Sequence, residues 1–171
     1  MEFDHQKIIA ELERNTGIIY GLLDGTSEDE YHFRYEVDKW TLLEVICHLR
    51  DEEVEDFRTR VASVLKDPNE ALPSIDPVGW VTSRKYNDQP FEAVLNDWEA
   101  EREKSLNWLK SLDSPSWDNA FMHPKFGAMS ARLFLCNWLS HDYHHIRQII
   151  TIKRAFLIHS SGEDLRYAGK W

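Results

Sequence analysis

The chain has 171 residues, 42% hydrophobic and 29% charged, with a formal net charge of −10. That balance suits one soluble domain over 1–171 with a sizeable core, and the acidity argues against nucleic acid, whose binding needs a basic stripe. No apolar run approaches the roughly 18–20 residues of a membrane span, so no membrane partner is expected.

The first predicted helix covers about Phe3 to Leu23, with Ile8, Leu12, Ile19 and Leu22 at helical spacing and a stop at Asp24-Gly25. Its acidic, polar start is not expected to be a secretory or transit signal. A long connection from Thr26 to Lys39 follows. The second helix opens at Thr41 with Glu44 three residues on, the capping-box pattern. It continues through Leu42, Ile46, Leu49, Phe57, Val61 and Val64 to about Lys66, where Asp67-Pro68 ends it. The stretch from Asp67 to Gln89 is long enough to form a lid or cover a site mouth, with a short helical turn around Val78 to Lys85. A third helix, Phe91 to Leu112, repeats Leu95, Trp98, Ser105, Trp108 and Leu112. Asp113 to Met129 reads as a loop, without β-type alternation. The fourth helix starts near Ser130 as N-cap and reaches about Ala155, with Lys153 and Arg154 suiting the negative end of its dipole. Four such amphipathic helices predict an all-α four-helix bundle, and the long crossovers allow neighbours that are not sequential.

The strongest functional signal is the run SHDYHHIRQI. Residues four apart on a helix lie roughly 5–6 Å from one another between Cβ atoms, so His141 and His145 can aim two imidazoles at one place. They interrupt the row Phe134, Trp138, Ile149 and Ile152, and a buried polar group needs a partner. Two imidazoles with free ring nitrogens can share a metal ion. A third ligand must come from another helix, and His48 is the remaining histidine in a helix interior, on the stripe Thr41, Val45, His48, Glu52, Glu55. His144 is expected beside the ligands but is able to replace His141 or His145. His5 and His159 are expected in solvent, and His32 and His123 in connections. Three histidines with open coordination positions suit Zn²⁺ or Ni²⁺.

Other chemistries fit less well. No paired Glu-x-x-His, HExxH, GxSxG, P-loop or GxGxxG occurs, and three convergent imidazoles exceed the axial needs of haem. The acidic run Asp51, Glu52, Glu53, Glu55, Asp56 is expected to be mostly a solvated helix face. Asp51 and Glu52, one turn from His48, are still close enough to orient a ligand or take a proton as a catalytic general base. The two cysteines, Cys47 and Cys136, form no CxxC pair or disulfide framework, which makes a reducing cytoplasm the expected compartment; both read as small buried hydrophobes. Most of the seven tryptophans are expected in the core, with Trp80 and Trp171 as pocket-lining candidates.

Trp40-Thr41 followed by His48-Leu49 and Asp51 resembles the second-helix signature of the DinB/YfiT-like superfamily. His141-Asp142-x-His144-His145-x-x-Gln148-Ile149 resembles its fourth-helix motif. His123-Pro124-x-Phe126-Gly127-x-Met129-Ser130 is similar to the loop entering that helix, and Asp164-Leu165-x-Tyr167-Ala168-Gly169-x-Trp171 to the tail. The resemblance implies a crossed, up-down-down-up bundle, frequently a homodimer. It also implies a divalent metal, commonly nickel or zinc, on His48, His141 and His145. Arg147 departs from the glycine many members place before that glutamine. Two activities are implied: metal-dependent hydrolysis, or S-transfer or isomerisation with a low-molecular-weight thiol. Against the second, the acidic chain would not attract an anionic thiol. A third reading is a non-catalytic, metal-binding dimeric bundle. Solvent access to the metal separates it from the two enzymes, which need room for a small-molecule substrate.

Overall fold

Four long helices carry the structure, a computed structural model that describes residues 3–169; Trp171 lies outside the described residues. Helix α1 (His5–Leu23) is capped by Asp4, whose carboxylate accepts the Lys7 N–H. A single turn, α2 (Glu28–Tyr31), occupies the first connection. The second long helix begins as α3 (Leu42–Glu52), passes through a π-helical turn (Glu53–Arg58) and continues as α4 (Thr59–Lys66). The Thr41–Glu44 capping box forms in both directions. The short helix expected between 67 and 89 is α5 (Pro77–Ser83), followed by a 3₁₀ turn, Tyr86–Asp88. Helix α6 (Phe91–Ser111) is the third long helix. The fourth, α7 (Ala131–Ser161), has Ser130 as N-cap and runs well past Ala155, to Gly162, whose φ of 69° closes it. No helix among the described residues is long and apolar enough to cross a membrane.

Pairs of contacts along the helices fix the directions. Lys110 meets Glu13 while Tyr20 meets Asn96, so α1 and α6 are antiparallel. Asn15 meets Asp142 and Thr26 meets Lys153, so α1 and α7 are parallel. Glu53 meets Arg102 and Arg58 meets Ser105, which makes the second helix parallel to α6. His48 lies against His145 and Glu53 against Trp138, which makes it antiparallel to α7. The order is up-down-down-up. The first and second long helices stand at opposite corners, as do the third and fourth, and the long crossovers make that arrangement possible.

The core is two apolar clusters. One gathers Ile19, Leu23, Leu42, Leu43, Ile46, Trp98, Ile149 and Ile152; the other gathers Ile9, Leu12, Phe57, Val61, Leu109, Leu135 and Trp138. Between them every long helix contributes buried polar residues: Asn15, then His48, Glu52 and Glu53, then Arg102 and Ser105, then Asp142 and His145. A polar layer therefore crosses the bundle at mid-height. Buried charge is costly unless paired and hydrogen-bonded, so the partners inside this layer decide the structure there.

Several expectations are corrected. On α1 the buried row is Ile9, Leu12, Asn15, Ile19 and Leu23, so Ile8 and Leu22 lie beside the core row. On α6 it includes Arg102 and Leu109, and Trp108 is only half-buried. Cys47 is buried as expected, but Cys136 is exposed on α7, one step off the row of Leu135 and Trp138. Trp80 lies on α5 within the first cluster, with the Arg84 guanidinium 4.0 Å above its ring. The loop before α7 holds a hairpin, β1 (Ala120–His123) paired antiparallel with β2 (Gly127–Ser130). Strands of four residues are too short to show alternation. The turn is held by the His123 ring, whose Nδ1 accepts the N–H groups of Lys125 and Phe126, and by Gly127 at a φ of 73°.

Candidate metal centre

The capping box starts α3 so that His48 faces α7, where His141 and His145 occupy one helical face. His48 and His145 are 5% and 3% exposed. His141 keeps 19% of its side chain in contact with solvent. Its Nε2 lies 3.1 Å from His48 Nε2 and 3.0 Å from His145 Nε2. One ligand atom from each of the three fits within a 4.8 Å group. A tetrahedral ion bound at about 2.0–2.1 Å needs donor nitrogens a little over ~3 Å apart. The three imidazoles therefore fit a single divalent cation. Burial, reinforced by the neighbouring imidazoles, pushes His145 down to about 2; burial likewise takes His48 down to about 4. Both rings are thus neutral at neutral pH, the form that coordinates a metal.

Around these rings the shell is uneven. His145 Nδ1 is 2.7 Å from Gln148 Oε1. Donating that N–H to the amide oxygen leaves the lone pair on Nε2, where the three rings meet. His48 Nδ1 is buried with no hydrogen-bond partner, and its ring packs 4.8 Å from Trp40. Phe57 packs 4.9 Å from the His141 ring. His144 stands on the exposed side, edge-on to His145 at 5.0 Å, outside the three-histidine group. Arg147 is also exposed.

Of the two acidic residues expected to serve the site, Glu52 reaches it: its Oε2 is 3.0 Å from His141 Nε2 and 3.7 Å from His48 Nε2. Burial by itself would raise its pKa. The hydrogen bond from His141, with favourable electrostatics from the His48 and His141 rings and from Arg60, outweighs that and holds it below the usual glutamate value. Asp51 is engaged elsewhere. Its carboxylate accepts from Arg50, from Arg84 at 2.8 Å and from the Tyr86 hydroxyl at 2.8 Å. The expectation of a solvated acidic face is corrected too: Asp51, Glu52 and Glu53 are buried, Asp56 is half-buried against Arg60, and Glu55 alone of the five is exposed. Each carboxylate drawn inward has a cationic or imidazole partner.

A second buried cluster adjoins the first and escaped the sequence reading. Arg102 donates from Nε to Glu53 at 2.9 Å and from both terminal nitrogens to Asp142 at 2.8 Å each. Trp138 Nε1–H also donates to Glu53, and the Asn15 amide to Asp142. All three charged residues are at most 1% exposed. Two signals were available in the sequence: the apolar row of α6 breaks at Arg102, one step past Trp98, and acids fall on the inward rows of the helices it faces.

The centre is open to solvent on one side. A cleft of about 600 Å³ runs between the second helix and α7 under the hairpin, lined by Glu52, Asp56, Phe57, Arg60, Phe134 and His141 among others. His123, expected in a connection, belongs to this lining.

The chain's sequence matches the profile of the DinB superfamily over residues 11–149. Its structure is similar to that of YfiT from Bacillus subtilis, described as a probable metal-dependent hydrolase with an unusual four-helix bundle topology. That likeness has a TM-score of 0.78 at 19% identity and covers 89% of this chain and 87% of the other. No curated protein matches the chain.

Proposed function

The chain belongs to the DinB superfamily, and on that footing we propose that it is a metal-dependent hydrolase whose zinc or nickel ion is held by His48, His141 and His145. The observation that carries this reading is the position of the three Nε2 atoms, mutually within reach of one cation, beside a solvent-open cleft of about 600 Å³. A divalent ion in such a site supplies Lewis acidity and brings the pKa of water toward ~7.

The protein's own groups do the rest. Glu52 Oε2, 3.0 Å from His141 Nε2, takes the proton of the attacking water as its oxygen bonds to the substrate carbonyl carbon. The same proton then passes to the leaving group as the C–O or C–N bond breaks. Gln148 keeps the His145 lone pair aimed inward. Phe57 and Trp40 shield the imidazoles from bulk water. The open cleft favours catalysis over a purely structural metal, and acidic Glu52 and Asp56 along it disfavour an anionic thiol as co-substrate.

The test begins with protein purified without a histidine tag. We expect one divalent ion per chain by elemental analysis, and ester or amide hydrolysis that a chelator abolishes and added metal restores. Glu52→Gln should keep the ion and lower turnover by about 10²–10⁴-fold, the usual contribution of a general base. Absence of the ion, or hydrolysis indifferent to the chelator, overturns the proposal. Consumption of an electrophile that depends on an added low-molecular-weight thiol, screened on the same protein, would assign the transferase instead.

A further inference from the structure

The cleft beside the histidines is built unevenly along its length. Its polar end holds Glu52, His141 and His144; its other end is walled by Phe126, Met129 and Phe134. Chain order sets the distance between the two. Phe134 precedes His141 by seven residues on one straight helix, which at about 1.5 Å of rise per residue is roughly 10 Å. The hairpin leads directly into the first turn of α7, so Phe126 and Met129 belong to the Phe134 end. Phe126 is 65% exposed, its ring stacked 4.7 Å from the His123 imidazole at the cleft edge.

Charge narrows the occupant further. Among the described residues Arg60 is the one Lys or Arg in the lining, and it is already spent: it is paired with Asp56, donates to the Pro73 carbonyl at 3.1 Å and lies 5.9 Å from the Phe134 ring centre. Lys125 sits 5.3 Å over the Phe126 ring, outside the lining. Among the described residues, the cleft walls thus carry carboxylates and no unpaired Lys or Arg to receive an anionic tail.

Resting on the metal-centre reading above, we propose that the cleft takes an uncharged, elongated substrate. Its polar head sits at His141 and Glu52, and an aromatic or branched apolar group about 10 Å away packs against Phe126, Met129 and Phe134. Hydroxamic acids, which chelate zinc through their two oxygens, provide probes whose tails alone differ. The experiment is calorimetric titration of zinc-loaded protein with acetohydroxamic acid, 4-phenylbutanohydroxamic acid and the monohydroxamate of suberic acid, which has similar reach but ends in a carboxylate.

The phenyl probe should bind at least about tenfold more tightly than the acetyl one, as expected for burying an aromatic tail, and the carboxylate probe should lose most of that gain. Phe126→Ala, at an exposed hairpin tip, should cut the phenyl advantage severalfold and leave acetohydroxamate unchanged. Equal binding of all three probes, or tightest binding by the carboxylate, overturns the inference while leaving the metal centre intact. Failure of the protein to take up either zinc or nickel, or of the metal-loaded protein to bind acetohydroxamate, overturns the metal-centre reading itself and this inference with it.

Discussion

Glu52 and Glu53 are consecutive, both buried, and serve different networks: Glu52 Oε2 lies 3.0 Å from His141 Nε2, while Glu53 Oε2 receives Arg102 at 2.9 Å and Trp138 at 3.0 Å. The π turn beginning at Glu53 lies at this point of divergence. Such turns insert an extra residue into a helix and recur at functional sites. Here one acid reaches the open cleft and its neighbour ties the second helix to the third and fourth.

Removing a ligand should remove the ion. His141→Ala and His145→Ala are expected to abolish metal uptake, and His48→Ala to weaken or abolish it, because two imidazoles alone hold a divalent ion poorly. His144→Ala should leave metal content unchanged, since that ring stands outside the group. Elemental analysis of the four purified variants checks this. Loss of the ion in His144→Ala with retention in His145→Ala would reassign the ligand.

Gln148 offers a subtler test. Outer partners of metal-bound histidines are worth about 10–100-fold in affinity. Gln148→Leu removes the acceptor 2.7 Å from His145 Nδ1 and should weaken metal binding by that factor, measured by competition with a chromophoric chelator. Gln148→Glu retains an acceptor and should restore affinity. Because Gln148→Leu also leaves the buried His145 N–H without its acceptor, the thermal midpoint of the metal-free variant should fall modestly, and Gln148→Glu should recover it.

The metal-free protein should lose stability on acidification. His48 and His145 have folded pKa values, about 4 and about 2, below the ordinary 6.5. Below pH ~6.5 the unfolded chain therefore binds more protons than the folded one, and stability falls with pH through that window. It is fully present above it. The His48 shift alone corresponds to roughly 2 kcal/mol lost by pH 5, with His145 adding in the same direction. Urea unfolding of metal-free protein at pH 7.5 and pH 5 should show the drop, and His48→Gln should reduce it.

Arg102 should be the costliest single residue to lose. Arg102→Met leaves Glu53 and Asp142 buried without their cation, a change worth about 3–5 kcal/mol in comparable sites. Combining it with Glu53→Gln and Asp142→Asn removes the stranded charges and should recover much of the loss. Denaturant midpoints of the single and triple variants decide the matter.

Much of this was legible in the chain because its signals are local. Thr41 and Glu44 sit at capping-box spacing, Ser130 precedes an apolar row, and His141 and His145 are one turn apart; helix starts and the shared histidine face follow from those distances alone. The topology was readable because the DinB-like motifs appear in order. What stayed hidden depends on partners distant in sequence. Asp142 lies inside the histidine motif, yet its role appears only once Arg102, forty residues away, is seen to point at it. The acids after His48 look like a solvated face until Arg84 and Arg102 arrive from elsewhere. The π turn leaves no mark in hydrophobic spacing, since apolar residues continue at workable intervals on either side. Cys136 was misplaced by a single helical step, and Trp80 lies on the short helix that was expected, which packs its ring into the first cluster through partners distant in sequence.

The wide turn at Glu53–Arg58 acts as a phase shifter between two halves of one helix. Upstream, the chain is in phase with the imidazoles; downstream, Val61 and Val64 are in phase with the second apolar cluster. Excising one residue from that stretch would swing everything after it by a little over a quarter of a revolution, forcing the fold to sacrifice either the convergence of the histidines or the packing beneath it. The number of residues there is thus a tighter constraint than the identity of any one of them.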